Sequence, residues 1–107
     1  DGRRMTMAVR GTTVSGKAYT TSDTDILEGQ CPHTAKRGTV FYIFATTAGT
    51  AKVHYEDPSG TFRELQSTSV SANDLTTVSF PFPISKFKLT YVGTSSGGTI
   101  NAEGRGH

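Results

Sequence analysis

The chain has 107 residues, a formal net charge of +2 and a single cysteine, Cys31. That length fits one domain with a modest core rather than a deep cavity with a second lobe. The charge is too small to argue for nucleic acid, the lone cysteine excludes an intrachain disulfide framework, and no run is long and apolar enough for a membrane-spanning helix. Thr, Ser and Gly dominate, which points to strands and turns and away from helices.

Residues 1–10 carry Arg3, Arg4 and Arg10 around Met5 and Met7. They read either as a solvated arm or as one that docks on an acidic neighbouring subunit, since Met adapts to irregular surfaces and Arg makes charge-assisted bonds. Residues 6–14 and 16–21 predict two short strands, the second centred on Ala18 and Tyr19. A turn at 22–25 precedes a further short strand at Ile26 and Leu27. Asp23, Asp25 and Glu28 are oxygen donors of the kind calcium takes, but the Gly and closing Glu of an EF-hand loop are missing, so the stretch reads as a solvated acidic turn. Cys31 and His33 fall short of the three or four ligands of a zinc site, and Cys31 reads as a loop cysteine. Lys36-Arg37-Gly38 is a basic turn.

Residues 39–45 are apolar on both faces, with Phe41 and Ile43 on one and Val40, Tyr42 and Phe44 on the other. Such a strand is covered on both sides, by another part of the chain or by another subunit.

Residues 51–56 alternate strictly, with Ala51, Val53 and Tyr55 opposite Lys52, His54 and Glu56, the mark of a strand with one wet face. Asp57-Pro58-Ser59-Gly60 is a hairpin turn. The return strand runs from Phe62 to Val70, and a bulge near Arg63-Glu64 would bring Phe62 and Leu65 to a common face. A turn at 72–74 leads to a strand over 75–82 with Val78, Phe80 and Phe82 on one face; Pro81 and Pro83 place its end there or put it at an edge. Residues 86–91 send Phe87, Leu89 and Tyr91 inward. After the loop at 93–98 comes a last strand with Ile100 and Ala102 on one face, and residues 104–107 read as a flexible tail. Gly93-x-Ser95-x-Gly97 matches the hydrolase elbow in letters, but that mechanism needs a helix after the serine and a later acid and histidine pair.

The run Tyr55-x-Asp57-Pro58-x-Gly60-Thr61-Phe62-x-x-Leu65, then a Ser/Thr-rich strand, Phe80-Pro81 and Phe87-x-Leu89-x-Tyr91, resembles the small β-sandwich or β-barrel proteins that decorate the virions of tailed bacteriophages. The likeness covers under half of the chain, and carbohydrate-binding and immunoglobulin-like sandwiches share much of it. It implies a structural role and, for capsid decoration proteins, often a trimer; it transfers no functional residue.

The resulting expectation is an all-β chain, a single antiparallel β-sandwich or small β-barrel of jelly-roll or immunoglobulin-like type over residues 11–103. Residues 1–10 form a basic arm and 104–107 a tail. The expected function is that of a non-enzymatic structural virion protein, above all a capsid decoration subunit that forms a homo-oligomer and stabilises a larger protein shell. No catalytic residue, metal, cofactor, nucleic acid, membrane or small-molecule substrate is assigned. Arg3, Arg4, Met5, Met7 and Arg10 are the first docking candidates, with Phe41, Tyr42 and Phe44 the second. The alternative is a carbohydrate-binding or adhesion module. The absence of Trp counts against it, as does the inward placement of most aromatics, which leaves Tyr19 and Tyr42 to stack on a sugar.

Overall fold

A computed structural model describes residues 11–107. Eight strands follow in order: β1 (Gly11–Ala18), β2 (Thr24–Gly29), β3 (Thr39–Ala45), β4 (Gly49–Glu56), β5 (Phe62–Val70), β6 (Thr76–Phe80), β7 (Phe87–Gly93) and β8 (Thr99–Gly106). They form two four-stranded sheets, β1-β8-β3-β6 and β2-β7-β4-β5, and every pairing is antiparallel. Only the β4–β5 hairpin stays within one sheet; each other connection crosses to the opposite one. This interleaving is the eight-stranded jelly roll, in which two Greek keys make a double-sheet sandwich. It decides between the two sandwich types the sequence leaves open, because an immunoglobulin sandwich distributes its strands differently.

Alternation along the central strands fills the space between the sheets. Phe41, Ile43 and Ala45 of β3 and Val78 and Phe80 of β6 meet Ala51, Val53, Phe87, Leu89 and Tyr91 of the second sheet. Phe41 stands edge-on to Phe87 and Phe80, with ring centroids 5.0 and 6.2 Å apart. Burying each such side chain stabilises the fold by about 1.5–3 kcal/mol. The inner face of β8 tapers through Ile100, Ala102 and Gly104 because the Phe rings take the space: a Cβ on Gly104 would lie 2.7 Å from Phe41 Cε2 and 2.9 Å from Phe87 Cε1.

The expected tail is therefore part of β8. Arg105 pairs with Gly11 of β1 and Val40 of β3, and Gly106 pairs with Thr39. Arg37 N and Gly38 N both donate to the His107 carbonyl, at 2.7 and 3.0 Å, and His107 N donates to the Gly38 carbonyl at 3.0 Å.

Thr39 is a buried polar residue that ties the loop after β6 to the core. Its hydroxyl accepts from Ile84 N at 2.8 Å and donates to the Phe82 carbonyl at 3.0 Å. Thr39→Val keeps the volume but strands both backbone groups. We expect it to cost about 1–3 kcal/mol, read as a lower urea midpoint with an unchanged slope.

The opposite end of the sandwich is tied by Tyr19. It is buried rather than exposed, packing edge-on against Tyr91 with centroids 4.7 Å apart. Its hydroxyl meets the Thr47 hydroxyl and accepts from Thr47 N at 3.0 Å, while Tyr91 Oη donates to the Thr47 carbonyl at 2.8 Å. Burial, with Tyr19 alongside, pushes the Tyr91 pKa up to about 12 from 10.0. A pKa raised in the folded state means that this contribution is complete below about pH 10 and is lost as pH climbs towards about 12. Tyr91→Phe should remove that part of the alkaline decline, which melting temperatures recorded across this window would show directly.

The β4–β5 turn follows its sequence. Asp57 Oδ1 accepts from Ser59 Oγ at 2.6 Å, Ser59 N at 2.9 Å and Thr61 N at 3.1 Å, and Arg63 Nε reaches Oδ2 at 2.7 Å. The Ser59 hydroxyl first, then Arg63, hold this carboxyl well below the usual carboxylate range. The bulge falls at Leu65, one residue later than expected, since Val53 pairs with Gln66 and His54 with Glu64. It does not bring Phe62 and Leu65 together: Phe62 pairs with Glu56 on the outer face, and Leu65 projects at the edge, 37% exposed.

Each edge strand is interrupted. β1 carries a bulge at Ser15 and Gly16, β2 at Ile26 and β5 at Leu65, and β6 is five residues long and followed by Pro81. Bulges and prolines spoil an edge as a template for strand addition. What remains available for association is faces.

Candidate docking surface

The outer face of the β1-β8-β3-β6 sheet follows from its register. One row across it is Ser79, Val40, Arg105 and Gly11, and the next is Thr77, Tyr42, Glu103 and Thr13. Beyond these, Phe44 of β3 pairs with Asn101 of β8. Asn101 Oδ1 accepts from Gly16 N at 2.7 Å and from Ser15 Oγ at 3.4 Å, which pins the β1 bulge.

Tyr42, Phe44 and Leu75 lie on this face at 36%, 37% and 59% exposure. Tyr42 divides two grooves. One, of about 690 Å³, has Val40, Phe80 and Pro81 as its apolar part and Arg37, Arg105, His107 and Ser79 as its polar part. The other, of about 280 Å³, lies among Phe44, Leu75, Val14 and Asn101. Arg105 Nη1 is 3.8 Å from Glu103 Oε2, a loose ion pair, and exposed pairs of this kind hold a side chain weakly.

The outer face of the other sheet differs. It presents Lys52, His54, Lys88 and Thr90. Its half-buried Phe62 lies beneath Lys88 Nζ, 4.8 Å from the ring centroid, a cation–π arrangement that covers the ring. His54 Nε2 is 3.1 Å from Thr90 Oγ1, and its pKa is lowered by burial first and by Lys88 second. A smaller apolar cleft of about 350 Å³ opens at the β5–β6 edge between Leu65 and Phe82. Phe82 was expected inward on its strand; Pro81 and Pro83 end β6 at Phe80 and leave Phe82 44% exposed against the Phe80 ring.

Of the docking residues read from the sequence, Tyr42 and Phe44 are side by side on the first sheet's outer face. Phe41 is corrected: at 0% exposure it belongs to the core and presents nothing to a partner. Among the described residues, the strand is fully covered on the Phe41 and Ile43 side, while on the other side Val40 is buried and Tyr42 and Phe44 stay exposed. Arg3, Arg4, Met5, Met7 and Arg10 lie outside the described residues. The chain joins the sheet at Gly11, directly opposite Arg105. The sequence reading missed Leu75, Arg37 and Arg105 as surface partners of Tyr42. The signal for Arg105 was present in the small residues Ala102, Gly104 and Gly106, which alternate with Glu103 and Arg105.

Among the described residues no three His, Cys, Asp or Glu side chains converge, and Asp25 pairs with Lys88 at 3.7 Å. The loop at 93–98 joins strand to strand, so its serine lacks the helix of a hydrolase elbow.

No protein-family model and no curated protein sequence matches the chain. Several solved structures are similar in fold, two of them as follows. The Yersinia pseudotuberculosis-derived mitogen has a TM-score of 0.57 at 12% identity, over 91% of this chain and 86% of the mitogen. PirA has a TM-score of 0.53 at 12% identity, over 91% of each chain. At that identity the likeness is one of fold, and fold does not carry function. The chain is a single all-β module, a jelly-roll β-sandwich with an apolar stripe on one outer face.

Proposed function

We propose that this protein is a non-enzymatic structural subunit that associates through the outer face of the β1-β8-β3-β6 sheet, and that its setting is a tailed-phage virion, where it decorates and stabilises a capsid. The observation that carries the reading is the contiguous Tyr42–Phe44–Leu75 stripe, beside a strand whose inner side is already covered. Exposed apolar patches of this kind mark interaction sites, and Tyr and Phe are enriched where interfaces are buried. The interrupted edges favour association through faces. The virion setting draws on the Tyr55–Tyr91 pattern and on the jelly roll, a fold used in capsid proteins.

The test compares the full chain with Tyr42→Ser/Phe44→Ser by light-scattering mass and by co-sedimentation with empty phage shells. The full chain should form a defined oligomer or sediment with shells. The double variant should do neither while melting within a few degrees of the parent, because both side chains lie on the outer face and outside the core. A parent chain that stays monomeric and leaves every shell bare would end this reading.

One observation favours a second reading. Tyr42 borders a polar groove, and jelly rolls also occur in lectin domains. A sugar ring stacked on Tyr42 would make the protein a carbohydrate-binding or adhesion module. A glycan array that stays blank at high protein concentration would remove it.

A further inference from the structure

We infer that the groove beside Tyr42 seats an acidic segment of the partner protein, a stretch that carries carboxylates together with apolar side chains. This rests on the docking-face reading above and adds the chemistry of the occupant.

Charge comes first. Arg37, Arg105 and His107 line the groove, and among the described residues no Asp or Glu lines it. Glu103 sits one row away beside Tyr42 and holds Arg105 only at 3.8 Å. A guanidinium presents a planar fork that matches a carboxylate in two bonds, so a partner carboxylate competes readily with Glu103.

Position comes second. The row that contains Arg105 ends at Gly11, where the sequence bearing Arg3, Arg4 and Arg10 enters the sheet. The arginines of residues 1–10 and those of the groove carry the same sign, and an acidic neighbour complements both.

The floor decides between kinds of anion. Val40 and Pro81 line the groove with the Tyr42 ring beside them, while the Phe80 that borders it is already packed in the core. A sulfated sugar or a nucleic-acid backbone would cover the cations but leave Val40, Pro81 and the Tyr42 ring without an apolar partner. A peptide that carries both Glu and Val offers carboxylates to the cations and methyl groups to the apolar lining of the same groove. The groove is also held in place: Arg37, Gly38 and His107 are joined by three backbone hydrogen bonds, so its cationic wall is fixed to the end of β8.

The experiment is fluorescence anisotropy on the full chain with three probes: a labelled peptide alternating Glu and Val, the same peptide with Lys for Glu, and heparin. The Glu/Val peptide should bind, the Lys/Val peptide should not, and binding should weaken as salt rises towards about 0.5 M. Arg37→Glu/Arg105→Glu should weaken the Glu/Val peptide by about tenfold or more, with an unchanged melting temperature as the folding control. Arg37→Gln/Arg105→Gln should give a smaller loss in the same direction. Equal binding of the Glu and Lys peptides, indifference to the charge reversal, or capture of heparin alone would each overturn the inference. The two readings fail separately: if Tyr42→Ser/Phe44→Ser abolishes association and the charge reversal leaves both association and peptide binding intact, the docking face stands and its acidic occupant falls.

Discussion

Phe41→Ala is expected to destabilise the domain by about 3–5 kcal/mol, the cost of emptying an aromatic site in a packed core. Phe41 is fully buried, and its ring is the edge-on neighbour of both Phe87 and Phe80. The cavity would open between the two sheets, where β3 and β7 cannot collapse without distorting ladders on either side. Against a native stability that is typically about 5–15 kcal/mol, such a loss would leave a substantial unfolded fraction. Phe44, three positions along the same strand, should behave oppositely. Its replacement by Ser should leave the urea midpoint nearly unchanged and act on association instead. Urea denaturation of the two variants separates core from docking face. Comparable losses of stability in both would mean that the outer face is structurally required rather than a binding surface.

Gly104→Val should be the second severe substitution. A Cβ there would already crowd Phe41 and Phe87, with contacts of 2.7 and 2.9 Å, and valine adds two methyl groups beyond it. Overpacking of this kind costs about 1–3 kcal/mol and more where nothing can yield. The effect is specific to ring volume, which gives an internal control. In a Phe41→Leu background the Gly104→Val penalty should shrink, and a double-mutant cycle should return a coupling of about 0.5–3 kcal/mol. Full additivity would mean that the glycine is there for the backbone and not for the ring.

These two positions also explain what the sequence allowed and what it hid. β4, β7 and the Asp57 turn follow from alternation and turn chemistry alone, and β3 from its short unbroken run of apolar, strand-favouring residues. β8 was harder. Gly104 and Gly106 read as a flexible tail because glycine disfavours strands, yet they are small because Phe41 and Cys31 occupy their space from elsewhere in the chain. The same long-range cause buries Tyr19. Its ring fits only because Gly93 and Gly98 lack side chains, a match across more than seventy positions that no local window reveals. Gly16 looked like the start of a second strand, parted from the first at Ser15. It is a bulge within β1, held by Asn101 from the other end of the sequence. The docking face was half legible. Tyr42 and Phe44 stand out on a two-faced strand, but their companions Arg105 and Leu75 join them only through sheet register.

β8 also gives the molecule two poles. Its Gly106 end meets the Arg37 groove and its Thr99 end meets the Tyr19 tether, with eight residues between them, roughly 25 Å at strand rise. The loop at 94–98 sits at the second pole. Thr94 is anchored to the Ala48 carbonyl, but Gly97 has open space around it. Foreign sequence inserted between Ser96 and Gly97 would stand at the far pole from the Arg37 groove. The fold thus offers a carrier for epitopes or enzymes at the end of β8 opposite that groove.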